Sequence, residues 1–159
     1  MRSSPHLIPT PMTTLADTRA RDDLIARFER LSPDASAAWG SMTAPEMLAH
    51  CADALRMGLG EVACRPRNAA LPRMAVVKWL FLNVLPFPKN APTAKELRSR
   101  PPAPWDDERA QLIELMRRVG GADASTRFAD HPLFGPLDRA QWGQLAWKHL
   151  DHHLRQFGA

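Results

Sequence analysis

The sequence predicts an all-α fold: a four-helix bundle with crossover connections, a short extra helix and a Pro-rich loop. Apolar residues recur at steps of three and four in nearly every periodic segment, and no convincing run alternates with a period of two. Six prolines lie between residues 86 and 104 and exclude a continuous helix there. Because an up-and-down bundle has short loops throughout, this long connection favours a bundle with crossovers.

The first two helices have clear ends in the sequence. The first is predicted from Leu15 to Leu31, where the apolar residues keep helical spacing until Ser32-Pro33-Asp34. The second is predicted to begin after the first residue of Thr43-Ala44-Pro45-Glu46, because threonine followed three residues later by glutamate is the pattern of a capping box. Gly58 or Gly60 is expected to end it.

The other three helices are placed by prolines, glycines and apolar spacing. A third is predicted from about Leu71 to Leu85. Its apolar part has about half the length of a membrane span, which predicts a buried or partly lipid-like helix inside a soluble fold. A fourth is predicted from Trp105 or Asp106 to Val119, and the last from its N-cap Asp138 to Phe157.

Composition and charge restrict the classes of function. Residues 1–14 lack the apolar core of a secretory signal and are expected to be a flexible tail before one domain of residues 15–159. The net charge of +4 is scattered, mostly beside acidic residues, so no nucleic-acid partner is expected. Cys51 and Cys64 are too far apart for a zinc knuckle or a redox motif, which predicts a reduced, cytoplasmic protein. No membrane partner is expected either.

Three histidines in two helices suggest a metal site. His149 and His153 are four residues apart, so their imidazoles project from one face of the last helix, the face that also carries its apolar stripe. His50 lies near the middle of the second helix, at the edge of its apolar arc. Clustered buried imidazoles need partners for all their ring nitrogens, and a divalent cation would supply one.

Other polar residues near this cluster have two interpretations each. His152 points about 60° away from His149 and is predicted at the rim of the site, with a plain surface histidine as the alternative. Glu46 and Asp53 lie close enough along the second helix to orient an imidazole, although such carboxylates are more often solvated. His131 is predicted to belong to a rigid turn before the last helix.

Two motifs carry a resemblance to a known family. Met-Leu-x-His at residues 47–50 and His-x-x-His-His-x-x-Gln at residues 149–156 resemble the DinB/YfiT-like superfamily of metal-dependent enzymes. The stretches 39–43, 87–93 and 131–137 resemble an uncharacterised bacterial subgroup of that superfamily. The likeness runs from about residue 15 to the C-terminus.

The resemblance implies a four-helix bundle that binds zinc or nickel. Matched residue by residue, the ligands would be His50, His149 and His153, and Gln156 matches the glutamine that follows the paired histidines of the family. Leu154-Arg155 departs from the Arg-Gly that precedes this glutamine in many members. Some members are transferases or isomerases that use low-molecular-weight thiols, which implies a small-molecule substrate of that class.

Three histidine ligands are compatible with a catalytic metal site, but they do not identify the reaction. Three neutral imidazoles leave a divalent cation with its full charge and an open position, so a bound water or thiol could be deprotonated. The expected function is therefore a hydrolase or a low-molecular-weight thiol transferase. A non-catalytic metal-binding or stress-response bundle is the alternative, and a basic interaction module with incidental histidines is a third. A homodimer and a lid role for the Pro-rich loop both stay open, since that loop could equally wrap the bundle.

Overall fold

The computed structural model describes residues 13–67 and 70–159, and this part of the chain is all-helical without a β-strand. The all-α class expected from the sequence is therefore confirmed. Residues 1–12 of the predicted tail lie outside the described residues. The α-helices are α1 (Thr18–Arg30), α2 (Ala44–Gly58), α3 (Ala75–Asn83), α4 (Trp105–Gly120) and α5 (Arg139–Gln156). Two short 3-10 turns lie at Leu71–Arg73 and Lys95–Arg98.

The two helices that carry the candidate ligands begin at capping boxes. In α2 the Thr43 side chain accepts the Glu46 amide, and the Glu46 carboxylate accepts the Thr43 amide at 2.8 Å. In α5 the Asp138 carboxylate accepts the Gln141 amide at 2.8 Å, and the Gln141 side chain accepts the Asp138 amide at 3.0 Å. Both predicted helix starts are confirmed, because these signals depend only on residues within the first turn.

The first helix begins later than predicted. Asp17 caps α1, so Leu15 lies outside the helix. The Leu15 amide donates to the carbonyl of Gly143 in α5 at 3.1 Å, and the Leu15 side chain is fully buried. A methyl group at Gly143 would lie 2.4 Å from the Thr14 hydroxyl. The segment before α1 therefore packs closely on α5, where only a glycine leaves room.

The four longer helices share one core. α2 packs against α4 and α5, and α1 packs against the same two helices. Each contributes fully buried side chains, among them Phe28, Leu48, Leu112 and Leu150. A methyl group at Gly58 of α2 would lie 3.0 Å from the Trp142 ring of α5. This contact places the C-terminal end of α2 beside the first turn of α5.

The third helix differs from its prediction in length and burial. The chain forms a 3-10 turn, breaks at Met74 and then forms a nine-residue helix whose only buried side chain is Leu82. Large apolar side chains such as Trp79 are exposed instead. Lys148 of α5 holds the end of α3, because its ammonium donates to the carbonyls of Phe81 and Leu85. None of the described helices combines the length and the apolar character that crossing a bilayer requires.

Arg100 attaches the Pro-rich connection to the bundle. Its Nε donates to both carboxylate oxygens of Asp53 in α2, at 2.9 and 3.1 Å. Its two terminal nitrogens donate to Glu108 of α4, at 2.7 and 2.6 Å. Both carboxylates are buried, so the guanidinium neutralises two charges that water does not reach. The network keeps residues 95–100 against α2, one turn from His50.

Candidate metal centre

The structure brings together the three histidines that the sequence predicted as ligands. The Nε2 atom of His149 lies 3.0 Å from Nε2 of His50 and 3.0 Å from Nε2 of His153. One ligand nitrogen can be chosen from each ring so that the three nitrogens lie within 4.8 Å of one another. His50 and His153 are buried and His149 is half-buried. Atoms at these separations are close enough to bind one cation, since zinc–nitrogen distances are about 2.0–2.1 Å.

The partners of the outer ring nitrogens determine two tautomers. His50 Nδ1 lies 3.2 Å from the carbonyl oxygen of Leu97, which can only accept, so this nitrogen carries the proton. His153 Nδ1 lies 2.8 Å from Oε1 of Gln156, whose Nε2 donates to the Trp39 carbonyl at 2.6 Å. The glutamine oxygen must therefore face His153, and His153 Nδ1 also carries its proton.

Two lone pairs consequently point at the same nitrogen. With their protons on Nδ1, His50 and His153 both present an unprotonated Nε2 to His149. A neutral His149 has at most one proton at Nε2, so it can donate to only one of them. A divalent cation would accept all three nitrogens at once, which is why this donor set fits a metal.

The buried rings are kept neutral. Burial lowers the pKa of His50 to about 4 and that of His153 to about 3, which is well below the value of an ordinary histidine. Burial, together with the neighbouring imidazoles, also lowers the pKa of His149 well below its usual value. At neutral pH the three nitrogens therefore need no deprotonation before they bind a cation.

The two carboxylates considered as partners of the imidazoles have other roles. Glu46 accepts the amide and hydroxyl hydrogens of Thr43 in the capping box. Asp53 pairs with Arg56 and Arg100. Among the residues that the structure describes, neither carboxylate hydrogen-bonds to a histidine. In the structure these oxygens therefore have a helix cap and two arginines as their partners.

His152 and Gln156 lie on either side of the cluster. The His152 ring packs against Phe87 at 5.1 Å and Trp39 at 5.6 Å between ring centroids, while its centroid is 5.3 Å from that of His153. It is half-buried at the edge of the site and does not join the three converging nitrogens. Gln156 instead bridges His153 to the backbone of Trp39.

A cavity of about 470 Å³ opens beside the cluster and has all three imidazoles in its wall. The three stretches that suggested a bacterial subgroup, residues 39–43, 87–93 and 131–137, all contribute to this wall. The Pro-rich connection therefore forms part of the cavity wall. Residues that the sequence did not indicate are Leu97, whose carbonyl orients His50, and the wall arginines Arg67 and Arg98.

His131 closes a turn in the cavity wall. Its backbone pairs with that of Gly135 in both directions, at 2.9 and 2.8 Å. Its Nδ1 accepts the amides of Leu133 and Phe134, at 3.1 and 3.2 Å, so the ring proton resides on Nε2. The turn predicted from the sequence is present, and the ring that stabilises it faces the cavity.

Acid is expected to destabilise the protein through His131. Burial and, to a smaller extent, the charge of Arg67 lower the pKa of His131 to about 4, against about 6.5 in an unfolded chain. The unfolded state therefore binds the proton first, so this stabilisation is complete above about pH 6.5 and is lost as the pH falls towards 4. The expected loss is on the order of 3 kcal/mol, measurable by urea unfolding at several pH values.

His131→Asn isolates this contribution from the other histidines. An asparagine oxygen can accept the same two amides, but it does not titrate. The difference in unfolding free energy between wild type and variant should therefore shrink as the pH falls from 7 to 4. A difference that is constant over this range would show that His131 does not titrate with folding.

Gly40 is expected to control the orientation of His153. Its φ is +81°, and a methyl group there would lie 2.7 Å from Nε2 of Gln156. Gly40→Ala should displace the glutamine and leave His153 Nδ1 without its acceptor. Loss of such a partner typically weakens metal binding by about 10–100-fold, which competition with a chromophoric chelator would measure.

Gly60→Ala is the matched control for Gly40→Ala. Gly60 has a φ of +78°, but nothing lies within 4 Å of the position of an added methyl group. Both variants therefore carry a similar backbone strain, about 1–2 kcal/mol, and only one displaces Gln156. Equal metal affinities in the two variants would contradict the role assigned to Gly40.

The cysteines do not provide a nucleophile. Cys51 is fully buried beside Met47, and burial raises the pKa of its thiol far above the usual value. Burial also raises the pKa of Cys64. Because the thiolate is the reactive form, neither residue is activated.

Comparison with known proteins identifies a family without an assigned activity. A search of curated proteins found no significant match, and a search of solved structures found none either. The profile of a protein family of unknown function, DUF1569, matches residues 14–159. This match covers the described helices and all three histidines of the cluster, and it shows that the chain belongs to the DUF1569 family.

Proposed function

We propose that this protein is a metal-dependent enzyme that binds one divalent cation, zinc or nickel, through His50, His149 and His153. We further propose that its fold is a DinB-like four-helix bundle and that its reaction is a hydrolysis or the transfer of a low-molecular-weight thiol. A bound cation would supply Lewis-acid activation of a water or thiol.

The convergence of unprotonated nitrogens carries the metal part of the proposal. Leu97 and Gln156 hold the outer protons of His50 and His153, so two lone pairs face His149 at 3.0 Å. Such an arrangement is costly in a metal-free protein, because buried acceptors without donors lose the hydrogen bonds that water would provide. Its presence in a well-packed core supports a site that is built for a cation.

The cavity supports catalysis over a purely structural site. Structural zinc sites are closed by four protein ligands, whereas catalytic sites have three protein ligands and an open position. Here three histidines share a wall with a cavity of about 470 Å³, which is within the size range of small-molecule sites. A substrate in this cavity can therefore reach the imidazole cluster.

His152 is the proton acceptor that we assign to this site. No Asp or Glu lines the described cavity, so the imidazoles are the available bases. His131 Nδ1 is already occupied by two backbone amides. His152 faces the cavity without a hydrogen-bond partner among the described residues, and burial lowers its pKa, so it is neutral and able to accept a proton at pH 7.

Cobalt substitution tests the proposal directly. Protein that has been purified without a nickel column should bind about one Co(II) per chain and show a visible spectrum of low coordination number. Addition of a thiol or azide should change this spectrum, and thiols should add a thiolate charge-transfer band. Failure to bind stoichiometric metal would overturn the metal site. A stoichiometric but unresponsive centre would leave the non-catalytic, metal-binding bundle as the function.

A further inference from the structure

The cavity beside the histidine cluster is electropositive before any cation is bound. Every Asp and Glu of the chain lies within residues 13–67 and 70–159, and none of them lines this cavity. Two arginines do line it, Arg67 and Arg98, and both are exposed, which places them at its opening. A cavity whose charged side chains are all of one sign favours a ligand of the opposite sign.

Neither arginine forms an ion pair in the described part of the chain, although Glu96 lies near Arg67 and Glu46 lies near Arg98. Of the residues described, no carboxylate lies within 4 Å of the guanidinium of Arg67 or Arg98, whereas Arg27, Arg56 and Arg100 each pair with an acid. Arg67 has a single long contact, 3.3 Å, to the carbonyl of Pro92. Most of the guanidinium donors of these two residues therefore have no partner among the described residues and can bind a ligand.

A third donor lies near Arg67. His131 Nδ1 accepts two amides, so its Nε2 must carry a hydrogen, and this nitrogen has no hydrogen-bond partner in the described part of the chain. The ring lines the cavity and is close enough to Arg67 for their charges to interact. Besides burial, the charge of Arg98 also lowers the pKa of His50, so this arginine lies on the histidine side of the opening.

Most of the remaining wall is apolar, although Ser41, Asn90 and Thr93 also line it. Its large apolar side chains include Phe81, Phe87, Phe134, Trp142 and Leu145. Such a wall favours an apolar body over a sugar or a nucleotide, which would leave many polar groups without partners. An ammonium group has no carboxylate to bind here and would be repelled by the arginines.

We propose that this cavity selects a small organic anion with an apolar body, whose anionic group binds Arg67 and Arg98 at the opening. This inference rests on the proposed function, since it describes the substrate of the same site: the reacting group faces the histidines and the carboxylate faces the arginines. Guanidinium groups suit this role because their planar donors match a carboxylate in two-point contacts.

Three thiols with one skeleton test the charge preference. They are 4-(mercaptomethyl)benzoate, its methyl ester and 4-(aminomethyl)benzyl mercaptan, which are anionic, neutral and cationic. Their Kd values for Co(II)-loaded protein would be read from the thiolate charge-transfer band at about 0.15 M salt, where screening suppresses long-range effects. The anion should bind about tenfold or more tightly than the ester, with the cation weakest.

Replacing the arginines one at a time shows which of them causes the preference for the anion. Arg67→Gln and Arg98→Gln should each reduce the preference for the anion over the ester severalfold, and the double variant should abolish it. Arg65→Gln is the matched control. Arg65 is exposed and lies two residues before Arg67, but it does not line the cavity. This variant should leave the preference unchanged. Equal affinities for all three thiols, or an equal loss in the Arg65 variant, would overturn the proposal.

A metal-free measurement separates this inference from the proposed function. Calorimetric titration of metal-free protein with 4-methylbenzoate and with 4-methylbenzamide measures binding at the arginines without any contribution from a metal. Binding of the benzoate only, lost in the double arginine variant, supports the anion site even if cobalt does not bind. Binding of neither compound, or of both equally, overturns it, whereas a cobalt spectrum that responds to thiols would leave the metal centre intact.

Discussion

His149→Ala is expected to reduce bound metal from about one per chain to less than about a tenth, because it removes one of the three proposed ligands. His149 is the nitrogen on which the other two converge, at 3.0 Å from each. Without it, His50 and His153 belong to separate helices and no longer share a common partner. Elemental analysis after dialysis against a defined zinc buffer would measure the loss.

His152→Ala is the control for this variant. It removes a neighbouring imidazole of the same helix, whose ring packs on Phe87 and Trp39 at the edge of the site. Its metal content should stay near that of the wild type, although activity should fall if His152 accepts a proton. Wild-type metal content in His149→Ala would place the metal elsewhere.

Metal removal is expected to lower the melting temperature without unfolding the chain. The core is formed by apolar side chains of four helices, including Phe28, Leu112 and Leu150, none of which depends on the site. Bound metal then adds to the free energy of unfolding, by an amount that depends on the metal concentration and on its Kd. Loss of helical circular dichroism on chelation at room temperature would contradict this view.

Arg100→Met is expected to lower the free energy of unfolding by about 3–5 kcal/mol, because it leaves buried carboxylates without their main partner. Glu108 is fully buried and would retain only the amide of Ala103, at 2.8 Å. Asp53 would retain Arg56. The variant should also weaken metal binding, since Arg100 holds the segment that carries the Leu97 carbonyl against His50. Urea unfolding would measure the stability.

The pH dependence of Arg100→Met provides a second readout. Burial alone would raise the pKa of Glu108, but the hydrogen bonds of Arg100 and the Ala103 amide outweigh it, so its pKa is lowered. That contribution is present above the unfolded pKa and disappears in acid. The deficit of the variant should therefore be largest near pH 7 and shrink in acid, once the pH has fallen below the lowered pKa of Glu108 in the wild type and the carboxyl is protonated in both proteins.

Two further variants give this prediction its controls. Arg109→Met breaks the pair with Asp106, whose side chain is 81% exposed, and should cost less than about 1 kcal/mol. Arg100→Met combined with Glu108→Met removes the buried charge together with its partner and should recover part of the lost stability. Similar losses for Arg109→Met and Arg100→Met would show that burial does not determine the cost.

The starts of two helices, and the residues that share one helix face, could be predicted from the sequence because they depend on local chemistry. The capping pairs Thr43 with Glu46 and Asp138 with Gln141 need only backbone geometry within one turn. The spacing of His149 and His153 follows from the period of the helix alone. Leu15 shows the limit, since its apolar side chain suited a helix while its amide was taken by Gly143 of another helix.

The exposed third helix shows why hydropathy alone misjudged burial. The stretch from Met74 to Leu85 is the most apolar of the chain, yet Trp79 and Val84 are each 58% exposed. Burial of a helix requires a partner surface, and the four longer helices already cover one another. The position of α3 therefore depends on how those four helices pack. It also depends on the Lys148 ammonium, which donates to carbonyls at the end of α3.

The sequence by itself determined the helical class, the starts of the two ligand helices and the identity of the three histidines that meet. Only the tertiary structure decided which groups orient those rings, because the Leu97 and Trp39 carbonyls are backbone atoms that every residue has. It also assigned Glu46 and Asp53 to other partners and placed Arg67 and Arg98 at the cavity. Side-chain chemistry and helical period are local properties, whereas competition for hydrogen bonds and the sign of charge in a cavity depend on segments distant in the chain.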